Sequence, residues 1–141
     1  MKNSKVLKGY LFLSGLMLTG LGVMILFNPV EFKMSGGVDI GTDVNVVNDV
    51  RAGGALLLGS GLTILLGIFI SALTFTSNVI AILVFLSYGI GRAISIVSDG
   101  MPVDSLFKAT IAEFVIAGLG IFMLMKYRNS EGQQLLKTSR N

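Results

Sequence analysis

Four long apolar runs alternate with short polar stretches along the chain. The runs lie at about 9–27, 50–73, 79–97 and 105–125. Ahead of the second run, the valines are compatible with a helical start near Thr42 or Asp43, either of which could cap that helix. A helix that crosses the hydrocarbon core of a bilayer needs about 20 mainly apolar residues, and each run approaches that length. The pattern predicts an all-α protein, a bundle of four antiparallel transmembrane helices in up-down order with short loops, followed by a basic polar tail at 126–141.

The first apolar run has the charged start that is also typical of a secretory signal peptide. Lys2, Lys5 and Lys8 precede it. However, the run is longer than the apolar region of a usual signal, and no small-x-small cleavage site follows it. We therefore expect a retained first helix.

Small residues mark one face of the first two predicted helices, where they would let helix backbones approach closely in lipid. In the first helix this face holds Gly15 and Gly22. In the second helix every fourth residue is small, which gives a predicted packing ridge of Ala55, Gly59, Thr63, Gly67 and Ser71. No Gly-Lys-Ser/Thr follows these glycines, so they do not form a phosphate-binding loop. We expect the second helix at the centre of the bundle.

A polar stripe runs down the third predicted helix. Tyr88, Arg92, Ser95 and Asp99 follow each other at i, i+4, i+7 and i+11, which places them on one side of an apolar rod. Glu113 is isolated in the fourth run. Because a charge at the centre of a spanning helix costs roughly 2.5 to 3.5 kcal/mol, such residues should face protein or water. We predict that Arg92 and Glu113 meet.

Depth along the helices supports one polar cluster. With a rise of about 1.5 Å per residue, Arg92 lies roughly 10 Å and Glu113 roughly 13 Å from the same end of the bundle. Arg51 stands where the second helix begins, at that same end. The predicted cluster consists of Arg51, Tyr88, Arg92, Ser95, Asp99 and Glu113.

The distribution of basic residues predicts the orientation in the membrane. The two terminal segments hold seven of the eleven Lys and Arg residues, whereas the loops between the helices are acidic or uncharged. Since positive residues favour the cytoplasmic side, both termini are expected there, in a multi-pass protein of the bacterial cytoplasmic (inner) membrane.

The amino-acid composition agrees with a membrane protein and argues against metal binding, catalysis and nucleic-acid binding. The chain has 141 residues, of which 52% are hydrophobic and 13% charged. Without Cys and His, the usual metal ligands and the commonest general base are missing, so we expect no metal, no cofactor and no enzymatic activity. The net charge of +3 comes from residues beside the apolar runs, not from a patch interleaved with aromatics, so no nucleic acid partner is expected.

Three motifs resemble a family of small bacterial four-helix membrane proteins known only as a domain of unknown function. The first is Asn48 followed by Arg-Ala-x-Gly at Arg51 to Gly54. The second is Arg92 followed by Asp-Gly-x-Pro from Asp99, and the third is Glu113. The resemblance covers about 29–125 and implies a fold and a site, but no activity.

Two functions remain open. Intramembrane hydrogen bonds average only about 0.6 kcal/mol, so stability alone is a weak reason to keep the buried charges. We nevertheless favour a non-enzymatic scaffold or accessory subunit in a homo-oligomer or larger membrane complex, on the basis of small size and the glycine ridge. The alternative is a small transporter or a bundle that binds an anionic lipid or ligand through Arg51 and Arg92. The expected partners are membrane lipid and a second copy or another membrane protein.

Overall fold

The computed structural model describes the backbone of residues 4–138 and the side chains of residues 4–127. Within this part the chain is helical and contains no strand. The helices are α1 (Lys5–Phe27), α2 (Pro29–Ser35), α3 (Val44–Phe69), α4 (Thr74–Asp99) and α5 (Asp104–Thr138), with a 3₁₀ turn at Ser71–Leu73 before α4. Four helices are long and apolar enough to cross a membrane, α5 through its part Asp104–Tyr127. The predicted all-α bundle with four apolar spans is confirmed.

The helix ends differ from the sequence-based bounds at several places. The helix of the second span begins at Val44, ahead of the apolar run, and Asp43 is the cap of the two predicted ones that the structure shows. Asp43 accepts hydrogen bonds from the backbone N–H groups of Asn45 and Val46 at 2.8 and 3.2 Å. These bonds also lower the pKa of the Asp43 carboxyl. The third span begins at Thr74, not near residue 79, and α5 continues as a helix through most of the predicted tail.

Helix α2 is a short element inside the segment that the hydropathy pattern assigns to a loop. Pro29 occupies its first turn, where a proline costs no hydrogen bond. The hydroxyl of Ser105 at the start of α5 donates to the carbonyl of Gly36, just after α2 ends. This contact holds α2 across the end of the bundle where α1 ends and α5 begins.

Helices α1 and α3 pack with their backbones in contact. A Cβ atom at Gly61 would lie 2.5 Å from the backbone nitrogen of Thr19, and one at Gly54 would lie 2.8 Å from that of Leu26. Gly15 and Gly22, both predicted packing positions of α1, lie in the same contact, and a Cβ on Gly22 would overlap the backbone of α3. Side chains at these glycines would therefore force the two helices apart.

The predicted ridge of α3 does not form a single contact surface. Gly67 packs against Ser77 of α4, whose hydroxyl donates to the carbonyl of Thr63 at 2.9 Å. In contrast, Ala55, Gly59 and Ser71 are exposed, and a Cβ on Gly59 would meet no heavy atom within 4 Å. A spacing of four drifts around a helix of 3.6 residues per turn, whereas the seven-residue spacing of Gly54 and Gly61 stays on the face toward α1.

At the end of the bundle where α1 and α4 begin, both helices are tied to α5. The Tyr10 hydroxyl donates to the carbonyl of Ile116 at 3.1 Å, and the Asn78 amide donates to that of Gly120 at 3.3 Å. The Ser4 hydroxyl donates to that of Tyr127 close by. These contacts close this end of the bundle, so the internal space lies at the opposite end, beneath α2.

Candidate functional site

A cavity of about 360 Å³ lies between α1, α2, α4 and α5 at the α2 end. Its size falls within the range of about 300 to 1,000 Å³ that is typical of small-molecule sites. Much of its wall is apolar, and includes Leu18, Leu21 and Ile25 of α1, Phe85 of α4, and Leu106 and Ala109 of α5. Its polar lining includes Lys33, Tyr88, Arg92, Ser105 and Glu113. The cavity therefore combines an apolar wall with a small set of charged groups.

Arg92 and Glu113 form an ion pair in this cavity. The Arg92 Nε donates to Oε1 of Glu113 at 3.1 Å, and its guanidinium lies 5.9 Å from the centre of the Tyr88 ring. Glu113 is only 8% exposed. Its other oxygen, Oε2, is buried and has no hydrogen-bond partner in the part of the chain that the structure describes. The contact is thus a single hydrogen bond, and the carboxylate retains capacity to accept another.

Lys33 joins these residues from α2, although it is not a member of the cluster predicted from the sequence. Its side chain is half-buried and lines the same cavity. Burial, and secondarily the charge of Arg92, lowers the pKa of the Lys33 ammonium. Among the described residues, no carboxylate forms an ion pair with it. Two cations therefore face one carboxylate.

A sequence signal for Lys33 does exist in hindsight. Asn28 and Pro29 have the pattern of a helix start, and Lys33 is the single basic residue of an otherwise acidic connection. A helix that begins at Pro29 turns Lys33 back toward the bundle end instead of leaving it in a solvated loop. Hydropathy alone misses so short a helix.

The other members of the predicted cluster lie elsewhere. The Ser95 hydroxyl donates to Oδ2 of Asp99 at 2.9 Å, and both side chains are exposed near the end of α4. Arg51 faces α1, where its Nη1 donates to the carbonyl of Leu26 at 2.7 Å. The structure thus joins Tyr88, Arg92 and Glu113 and separates Arg51 from them, because α3 packs its charged first turns against α1.

The Arg-Ala-x-Gly motif gains a structural explanation from this arrangement. Arg51 binds the carbonyl of Leu26, and Gly54 permits the backbones of α1 and α3 to meet at the same residue. Both ends of the motif therefore fix the start of α3 against the end of α1. This role requires no ligand.

The described residues contain no group of three or more Asp, Glu, His or Cys side chains that could hold a metal ion. The polar lining of the cavity offers charge recognition by Lys33 and Arg92, next to hydrogen bonding by Tyr88 and Ser105. Such a set suits a carboxylate or a phosphate group.

The family described as "Domain of unknown function (DUF4345)" matches residues 6–124 of the chain. The chain belongs to the DUF4345 family. The match contains α2 and nearly all of the four apolar spans, so it adds α1 to the part that the sequence motifs cover. No curated protein and no solved structure matches the chain significantly. Membership of DUF4345 places the chain in a family without assigning it an activity.

Proposed function

We propose that this DUF4345 protein is a non-enzymatic membrane protein that binds the anionic group of a small amphipathic molecule in the cavity beneath α2. The observation that carries the proposal is the presence of Lys33 and Arg92 in one largely apolar cavity with a single carboxylate, that of Glu113. A carboxylate or a phosphate monoester is the chemistry that this charge pattern fits.

The charge balance supports an anionic group. Lys33 and Arg92 carry two positive charges, of which Glu113 neutralises one. An uncompensated charge away from water is costly, and a bound anion would offset that cost. Among the described contacts, Arg92 uses only its Nε on Glu113, so its terminal amino groups remain available for a second acceptor. A hydrogen bond to a charged group contributes about 1.5 to 3 kcal/mol.

The apolar wall supports a ligand with a hydrocarbon part. Residues of α1 and α5 form a surface on which an alkyl chain would lie, and Phe85 lies opposite at the α4 side. Each buried methylene contributes about 0.8 kcal/mol, so several of them add as much as a charged hydrogen bond. Inorganic phosphate would use the cations alone and should bind much more weakly.

The proposal is tested by equilibrium binding to the delipidated protein in neutral detergent. The probes are an alkyl carboxylate, an alkyl phosphate, an alkyl alcohol of the same length, and inorganic phosphate. We expect the two anionic amphiphiles to bind, and Lys33→Met to weaken them by at least about tenfold, which corresponds to about 1.4 kcal/mol. Lys108→Met is the matched control, because Lys108 is exposed and contacts Asp104 at 3.8 Å.

Two results would overturn the proposal. One is an alcohol that binds as tightly as the anions, since the cations would then contribute nothing. The other is equal binding by Lys33→Met and Lys108→Met. If Lys33→Met weakens binding while the protein stays folded, Lys33 acts in recognition of the ligand and not in holding the fold.

We also propose that the protein lies in the bacterial cytoplasmic membrane with both termini in the cytoplasm, which is supported by the seven basic residues of the terminal segments. The cavity would then open toward the outer side. Because the chain lacks Cys, single substitutions report the topology cleanly. Asp39→Cys should react with an impermeant maleimide in intact cells, and Lys5→Cys only after permeabilisation; the reverse pattern would invert the orientation.

A second candidate function is the scaffold or accessory subunit in a homo-oligomer or membrane complex. It is supported by the exposed small face of α3 at Ala52, Ala55 and Gly59, where a second helix could approach closely. Gly67 does not test this idea, because it packs inside the chain. Gly59→Leu should change the oligomeric mass of the protein while leaving its fold intact; an unchanged assembly would count against the scaffold.

A further inference from the structure

An open groove of about 430 Å³ lies next to the cavity, on the face of α4 that carries the exposed Ser87 and Gly91. Lys33, Ser87, Tyr88, Gly91 and Arg92 line it. Three of these residues, Lys33, Tyr88 and Arg92, also line the cavity beneath α2. The two spaces therefore meet at the same two cations and the same tyrosine ring.

Exposed apolar side chains flank the groove along α4, so this face would lie against lipid in a membrane. Leu83 and Ile94 lie on the exposed surface of α4 near it and are 57% and 60% exposed. Ser87 and Gly91 are exposed between them, and a Cβ on Gly91 would meet no heavy atom within 4 Å. With a rise of about 1.5 Å per residue, Gly91 lies roughly 12 Å from the end of α4 at Asp99. A molecule in this groove would thus be in contact with lipid.

We infer that the cavity takes its ligand sideways from the bilayer through the groove on α4, and that this ligand is a membrane lipid with a free carboxylate or phosphate monoester. The inference rests on the proposed function and adds the source and the route of the ligand. The anionic headgroup would meet Lys33 and Arg92 at the boundary between groove and cavity.

The geometry of the boundary explains why a lipid suits it better than a water-soluble anion. Long cationic side chains cover apolar surface with their stems while their charged ends meet a polar partner. Beside lipid, that partner is a headgroup drawn in from the end of the bundle, where Lys33 of α2 lines the groove. The alkyl chain of the ligand can stay among the acyl chains until the headgroup has passed Tyr88, so no charge crosses the hydrocarbon unpaired.

The test separates route from affinity by filling the groove. Gly91→Trp adds a large side chain at an open position, and Gly118→Trp is the matched control on α5, where a Cβ also meets nothing within 4 Å. Protein in phosphatidylcholine nanodiscs is mixed with phosphatidylcholine vesicles that carry a fluorescent long-chain alkyl phosphate, and transfer is followed over time. A short-chain, water-soluble alkyl phosphate is measured in parallel.

We expect Gly91→Trp to slow loading of the long-chain phosphate severalfold, with Gly118→Trp as fast as the wild type and the final occupancy of all three alike. Loading at the wild-type rate in Gly91→Trp would overturn the lateral route. Faster loading of the short-chain phosphate than of the long-chain one, unaffected by Gly91→Trp, would assign entry to the aqueous side. Failure of the wild type to bind either phosphate at equilibrium would instead overturn the proposed function itself.

Discussion

Removing Arg92 alone should destabilise the protein far more than removing both partners of the Arg92–Glu113 pair. Glu113 is 8% exposed, and its Oε2 has no partner among the described residues. Arg92→Met takes away the single hydrogen bond that Oε1 accepts. The carboxylate would then be buried without any donor, which costs about 3 kcal/mol by the usual range for a broken buried pair.

The reverse substitution should cost less. The side chain of Arg92 is 26% exposed and also lies over the Tyr88 ring. In Glu113→Met the guanidinium therefore keeps both its partial exposure and its contact with the ring. We expect a loss of about 1 kcal/mol. The double variant Arg92→Met/Glu113→Met exchanges a buried ion pair for two apolar side chains and should lie within about 1 kcal/mol of the wild type.

Single losses of about 3 and about 1 kcal/mol, with almost none in the double variant, give a coupling free energy of about 4 kcal/mol, well above the average of about 0.6 kcal/mol for an intramembrane hydrogen bond. The assay is reversible unfolding of the four delipidated proteins in mixed micelles with increasing SDS, followed by far-UV circular dichroism. If the two single losses simply add in the double variant, within about 0.5 kcal/mol, the pair does not act as the structure indicates.

Two pairs of matched substitutions test the cavity and the helix contact. Lys33→Met should raise the thermal stability of the ligand-free protein, whereas Lys108→Met should not, because the first removes a half-buried cation beside Arg92. The lowered pKa of Lys33 means that the unfolded chain binds this proton more tightly, so the free energy of unfolding of the wild type should rise with pH between that lowered pKa and the ordinary value of 10.5. A pH titration of stability that shows the same rise in Lys33→Met would contradict this assignment. Gly61→Ala should cost about 1 to 3 kcal/mol of unfolding free energy because its Cβ meets the backbone of α1. Gly59→Ala should instead raise the free energy of unfolding by a few tenths of a kcal/mol up to about 1 kcal/mol, because alanine favours a helix more than glycine does. Equal losses in both variants would contradict a close contact between Gly61 and α1.

The four spans could be predicted from the sequence because their length and apolarity are set by the bilayer. The start of α3 could be predicted too, because Asp43 stands where a cap is expected, directly before the valines. The start of α4 at Thr74 could not, because no side chain caps it. Helix α2 has only seven residues, too few for a periodic signal. Its position depends on tertiary contacts such as that of Ser105 with Gly36.

The site was partly predictable for a similar reason. Because a charge in lipid is costly, Arg92 and Glu113 are expected to pair, and their similar depth on neighbouring helices allows the contact. Depth alone does not say which helices are neighbours. Arg51 is near the same end but points to α1, and Lys33 reaches the cavity only because α2 folds over it.

Native mass spectrometry of the protein released from its own membrane into mild detergent shows whether Lys33 and Arg92 hold an anion. For the wild type and for Lys108→Met, we expect a chain that retains one anionic amphiphile, and for Lys33→Met a folded chain without it. Retention of the same molecule by Lys33→Met, or a wild type that carries only neutral lipid, would contradict the claim that the two cations beneath α2 form a binding site.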